Sequence, residues 1–142
     1  MTLINPNEEM IILRLLAAVA LGLLLGIQRE RKKVVEKKSG FAGMRTHAMV
    51  AAGSALITAI GAIAFPSDPL RLAASILTGI GFIGAGTIIA NAEKIRGLAN
   101  AATIWVVAAI GIACGLGFYI SSLIATLAII IILELKRFEK IG

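Results

Sequence analysis

The sequence predicts an all-α membrane protein: a polytopic helical bundle of about five transmembrane helices, N-terminus outside and C-terminus cytoplasmic. Three observations lead there. Of the 142 residues, 58% are hydrophobic and 15% charged, and mean hydropathy is +0.95; a soluble domain carries about a quarter charged residues. Five stretches approach the ~20 apolar residues that a helix needs to cross a bilayer core, at roughly 9–27, 46–65, 70–90, 98–115 and 117–136. The Lys and Arg residues are also distributed unevenly. Seven lie between Arg29 and Arg45, two (Lys94 and Arg96) follow the third stretch, and three (Lys136, Arg137 and Lys140) are in the tail. These fall on one side of a five-span topology, leaving Arg14 and Arg71 towards the other, which orients the chain by the positive-inside rule.

The first apolar run, Met10 to Ile27, is preceded by Asn7, Glu8 and Glu9. It lacks a basic n-region and outruns an h-region, so it reads as a span and not as a cleavable signal. Arg14 inside it either snorkels to the outer interface or meets Asp68 on the same side. GIQRE (26–30) closes this span and GMRTH (43–47) opens the second on the same face. Glu30 and Arg45 are therefore expected to pair across the two helices, and Thr46 to cap the second. FPSDP ends the second span; Asp68 is placed to cap the third helix, with Pro69 at its first position. Arg71 runs at once into apolar sequence.

The third span contains LTGIGFIGAGTII (77–89). GIGFIG matches a dinucleotide fingerprint in letters only: no polar turn precedes it and the next acid is Glu93, across Asn91. In a membrane, small residues let helices approach closely. Ser75, Gly79, Phe82 and Gly86 share one helical face, Thr78, Gly81 and Ala85 a neighbouring one, and Gly84 lies opposite the first. This predicts helix packing through Gly79, Gly81, Gly84 and Gly86, with the third span at the centre of the bundle. The alternative is a helix broken in mid-membrane to line a path.

NAEKIRG separates the third span from the fourth, with Asn91 and Asn100 bracketing the loop. The fourth and fifth share one apolar run, Leu98 to Leu133, nearly twice a bilayer thickness as a helix at ~1.5 Å per residue. Two glycines in CGLG (114–117) mark the fold-back; one long tilted helix is the alternative. Trp105 lies within its span and reads as a packing residue. Cys114, the only cysteine, cannot close an intrachain disulfide and reads as a small buried residue.

Gln28, Arg29, Glu30, Arg45 and His47 form the functional cluster near membrane depth. The single histidine, His47, reads as a hydrogen-bonded interfacial residue or as a proton-linked one. No His/Cys/Asp/Glu grouping has metal-ligand spacing, and no cofactor is expected. The net charge of +6 follows from the topology-setting loops, which can meet anionic lipid. The basic segment between Arg29 and Lys38 has no aromatic for stacking, so nucleic acid is not an expected partner. The partners expected are the lipid bilayer, a second copy of the chain in a homo-oligomer and a membrane protein. No nucleophile–base pair or paired carboxylates stand out, so an enzyme is not expected.

Taken together, these blocks resemble the MgtC/SapB family of bacterial membrane proteins, in its N-terminal membrane domain. GIQRE resembles the family's G-[LI]-E-R-E/Q, and GMRTHAMVAAGSALIT its G-L-R-T-H/N stretch. DPLRLAASILTGIGFIGAGTII resembles D-x-x-R-x-A-x-x-[IV]-x-G-I-G-F-[IL]-G-A-G, and KIRGLANAATIWVVAAIGIACGLG resembles V-x-G-L-T-T-A-A-x-[LI]-W followed by A-A-[IL]-G. The four blocks cover about residues 10 to 133. The resemblance carries over Arg29, Arg45, Thr46, His47, Asp68, Arg71, Gly79, Gly81, Gly84, Gly86, Trp105 and, more weakly, Cys114; Glu30 and Asn100 join them as candidates from the residue reading. Gln28 stands where the family has Glu, and Ala99-Asn100 where it has Thr-Thr.

The resemblance implies an inner-membrane protein tied to survival at low magnesium and, in some pathogens, to growth inside host cells. Some members are understood to restrain the ATP synthase or other membrane partners. The expected function is thus a non-enzymatic regulator or ion-homeostasis factor, with a small oligomeric transporter or channel as the alternative. Many members continue into a cytoplasmic ligand-sensing domain; residues 1–142 read as a single membrane domain without one.

Overall fold

The computed structural model describes residues 6–35, 42–90 and 95–135. Asn91, Glu93, Lys94, Lys37, Lys38 and the tail lysines and arginine lie outside them. The described residues form five helices: α1 (Pro6–Val35), α2 (Met44–Ala64), α3 (Arg71–Ala85), α4 (Leu98–Gly115) and α5 (Tyr119–Leu135). A short antiparallel pair, β1 (Ile89–Ala90) and β2 (Ile95–Arg96), sits between α3 and α4.

α1 begins at a proline, and Glu8 and Glu9 occupy its first turn, where carboxylates favour the helix dipole. Helix-favouring Arg, Glu and Lys carry it on through RERKK to Val35. At ~45 Å it is longer than a bilayer core. Among the described residues three helices, α1, α2 and α4, are long and apolar enough to cross a membrane. α5, at 17 residues, is apolar and slightly shorter.

α3 corrects the expected span of 70–90. Its 15 residues reach only ~23 Å. The helix does not break in mid-span; it ends where Gly86 N donates to Phe82 O at 3.1 Å and the Thr87 hydroxyl donates to Gly84 O at 2.8 Å. Ile89 and Ala90, expected to be helical, pair with Arg96 and Ile95. Gly97 then turns the chain into α4 at φ +92, and a Cβ there would run into the Thr87 carbonyl.

The centre of the bundle is α4, not α3. α4 contacts all four other helices, and ten of its residues are buried, from Asn100 to Gly115. Among the residues of α3 only Ala73, Ile80 and Gly84 are buried. Glycine content did not decide this, because a position at the centre depends on what faces each small residue. α1 packs on α2 through Gly22, whose Cβ would lie 2.8 Å from both Ala51 Cβ and His47 O, and through Gly26, whose Cβ would lie 2.5 Å from Met44 Cα. α2 packs on α4 through Gly111, against Ala51 and Ser54, and through Gly115, against Ala55 and Thr58. Leu72 of α3 fills the space left by Gly61 of α2.

α4 closes in a Schellman turn. Phe118 N donates to Ala113 O and Gly117 N to Cys114 O, each at 2.9 Å, with Gly117 at φ +87. This is the fold-back that the glycines of CGLG suggested.

The bundle is apolar outside and small or polar inside. His47, Ser54, Thr58, Asn100, Thr103, Ser122 and Thr126 are buried, whereas Phe82 is 85% and Ile120 76% exposed. Such a surface suits lipid, in which a buried polar group must find its partner within the protein. Thr103, Ser122 and Thr126 do so by bonding the carbonyl four residues earlier.

Candidate functional site

The end of α1, the start of α2, the start of α4 and the end of α5 meet at one end of the bundle, here called the basic end. It brings together Gln28, Arg29, Glu30, Arg45, Thr46, His47 and Asn100, and joins to them Glu134, which the sequence did not single out.

Glu30 does not pair with Arg45. Its Oε2 accepts a hydrogen bond from Met44 N at 3.1 Å, so a carboxylate on α1 caps the first turn of α2. Arg45 is exposed, and Thr46 is half-buried. Thr46 does not cap α2: the N-cap position is Gly43, which has no side chain to offer. The capping group therefore comes from across the interface, where the close approach at Gly26 holds α1 and α2 together. Gln28 Nε2 donates to Glu134 Oε1 at 2.7 Å, linking α1 to α5, while Gln28 Oε1 is buried without a partner. Arg29 is half-buried and engaged in an interaction.

His47 is fully buried. Its Nδ1 lies 2.8 Å from Gly43 O, one turn back on its own helix, and its Nε2 has no partner. Asn100, at the start of α4, is equally buried. Its Oδ1 accepts from Ala42 N at 3.2 Å and its Nδ2 has no partner. Two helices thus grip the consecutive residues Ala42 and Gly43 immediately before α2.

The other candidates lie elsewhere. Asp68 and Arg71 sit at the opposite end. The N-cap of α3 is Leu70, with no side-chain bond, so Asp68 does not cap it; Asp68 contributes backbone turn bonds to Phe65 and Arg71 instead. The Arg71 guanidinium stacks over the Phe65 ring at 5.1 Å, holding the start of α3 to the end of α2. Trp105 is 47% exposed on the outer surface of α4. Cys114 is buried among Ala18, Leu25, Ala51, Ala55 and Val107.

Of the four glycines singled out, Gly84 of α3 meets Ala101 of α4 at ordinary contact, Gly79 and Gly81 of α3 have no neighbour within 4 Å of a Cβ, and Gly86, just past the end of α3, meets only the carbonyls of Ile83 and Phe82. The glycines at which one helix most closely meets the backbone of another are Gly22, Gly26, Gly111 and Gly115. Each pair is four residues apart, in GLLLG and GIACG, and that i, i+4 spacing was the signal available in the sequence.

Arg14 does not pair with Asp68 and reaches the end of α4 instead. Its Nη1 donates to Gly115 O at 2.7 Å and its Nη2 to Met10 Sδ at 3.2 Å. A cation thus satisfies a carbonyl in the last turn of α4, where the helix dipole is negative. Among the described residues no three His, Cys, Asp or Glu side chains are grouped to hold a metal ion.

The model of the MgtC family matches residues 15–140. "Protein MgtC" of Salmonella typhimurium (strain LT2) is 44% identical over 119 residues, covering 84% of this chain and 49% of that protein. The Escherichia coli K12 protein named "Putative magnesium transporter YhiD" is 38% identical over 137 residues, 90% of this chain and 60% of that one. A Haemophilus influenzae protein is 36% identical over 145 aligned positions, 94% and 58%. The chain spans about half the length of the MgtC proteins it matches. No solved structure matches.

Proposed function

The chain belongs to the MgtC family, and from that premise we propose that it is a multi-pass protein of the bacterial inner membrane, acting in magnesium-linked ion homeostasis as a non-enzymatic regulator of a membrane partner. The name of one relative, "Putative magnesium transporter YhiD", supports the link to magnesium. The observation that carries the regulatory reading is the distribution of side chains. The core is closed by glycine contacts and back-bonded hydroxyls, while large apolar side chains and the open face of α3 at Gly79, Gly81 and Phe82 are turned outward. That outer surface is where another membrane helix, from a second copy or from the partner, would pack. The basic end faces the cytoplasm by the positive-inside rule. There, exposed Arg45 and the Glu30-capped start of α2 are the groups that a partner would meet.

A second reading, a small oligomeric transporter, draws on the buried unpartnered atoms of Gln28, His47 and Asn100 at the basic end. The arginines there suit an anion or a proton relay better than bare Mg²⁺, which takes oxygen ligands and keeps several waters. Reconstituted protein in liposomes, followed for Mg²⁺, H⁺ and anion movement, separates the two readings. The regulator reading expects no flux from folded, inserted protein, and crosslinking in native membranes to a distinct membrane protein. Flux abolished by Arg45→Ala or His47→Ala would overturn it in favour of transport.

A further inference from the structure

At the basic end two fully buried side chains each leave one hydrogen-bonding atom without a protein partner, and the two atoms are of opposite kind. Gly43 O can only accept, so His47 Nδ1 at 2.8 Å carries the ring proton. Nε2, buried and unpartnered, is then a bare acceptor. Ala42 N can only donate, so the carboxamide oxygen of Asn100 must face it, and the amide cannot be flipped. Nδ2, buried and unpartnered, is then a bare donor. The acceptor belongs to α2 and the donor to α4, and the two side chains are anchored to neighbouring residues, His47 to Gly43 and Asn100 to Ala42. Buried polar atoms in native proteins are paired with protein or with ordered water.

We propose that α2 and α4 hold a buried water molecule here, which donates to His47 Nε2 and accepts from Asn100 Nδ2. Water meets both demands at once. A bare cation would face the Nδ2 hydrogens, and an anion would face the Nε2 lone pair. The water then joins α2 to α4 beside the segment that leads into α2. A regulator and a transporter would hold it equally well.

His47 is the only histidine, so ¹⁵N-histidine labelling of the whole chain in lipid nanodiscs gives one pair of ring signals. The expected result is an Nδ1–H proton and an unprotonated Nε2 that correlates with water protons and responds to D₂O. Asn100→Asp keeps an oxygen for Ala42 N and removes the donor. It is expected to move the Nε2 signal and leave an Nδ1–H proton. An Nε2 with no water correlation in the unmodified protein overturns the proposal, with no variant needed. So does an Asn100→Asp protein that protects Cys114 as the parent does but leaves Nε2 unmoved.

Discussion

Gly22→Ala tests whether close approach of α1 and α2 holds this bundle together. The added Cβ would lie 2.8 Å from Ala51 Cβ, 2.8 Å from His47 O and 3.1 Å from Ala48 Cα. Two of these atoms are backbone and the third is an alanine Cβ, so no rotamer change clears the clash. Restoring ordinary contact at 3.4 Å requires the helices to part by about 0.6 Å at that level (3.4 − 2.8). In lipid no hydrophobic effect compensates for the van der Waals attraction that this separation weakens. Overpacking of this kind costs about 1–3 kcal/mol, and the better helix propensity of alanine returns up to ~1 kcal/mol. A net loss near 1–2 kcal/mol lowers the folded-to-unfolded ratio about 5- to 30-fold. Cys114, buried and the only cysteine, supplies the assay: a thiol-reactive dye reports its exposure on heating in detergent or nanodiscs. Gly79→Ala is the control, since nothing lies within 4 Å of its Cβ; it should leave the midpoint unchanged or raise it. Equal losses in the two variants, or no loss in Gly22→Ala, would refute this account of the packing.

The same dye assay reads three further substitutions. Arg14→Ala removes the 2.7 Å bond to Gly115 O and should cost about 1.5–3 kcal/mol, the usual worth of a hydrogen bond to a charged group; Arg14→Lys should recover part of the loss. Glu30→Ala removes the cap on Met44 N and should cost about 1 kcal/mol, with Glu30→Gln intermediate because it keeps an acceptor oxygen. Gly97→Ala places a side chain at φ +92 against the Thr87 carbonyl. It should cost at least ~1–2 kcal/mol, and the amides of β1 and β2 should exchange faster with D₂O in the variant.

Composition and span length were enough for the class of this protein and for its three long apolar helices, because a bilayer imposes a minimum run of apolar residues that is written directly in the chain. The fold-back at Gly117 was legible for a similar reason: a run too long for one crossing must turn, and glycine is what permits a left-handed cap. The family, too, was legible in four short blocks. Partners across helices were not. Glu30 and Arg45 have complementary charges, yet Glu30 reaches a backbone N–H instead, because Gly26 brings the start of α2 against α1. Four glycines in the stretch 77–89 suggested a central helix, yet α4 is central, because close packing needs a facing surface and the glycine spacing in α1 and α4 meets one on α2. Hydropathy and spacing describe a helix by itself, whereas the contacts of His47, Asn100 and Arg14 depend on which neighbour fills the remaining space, and only the assembled bundle decides that.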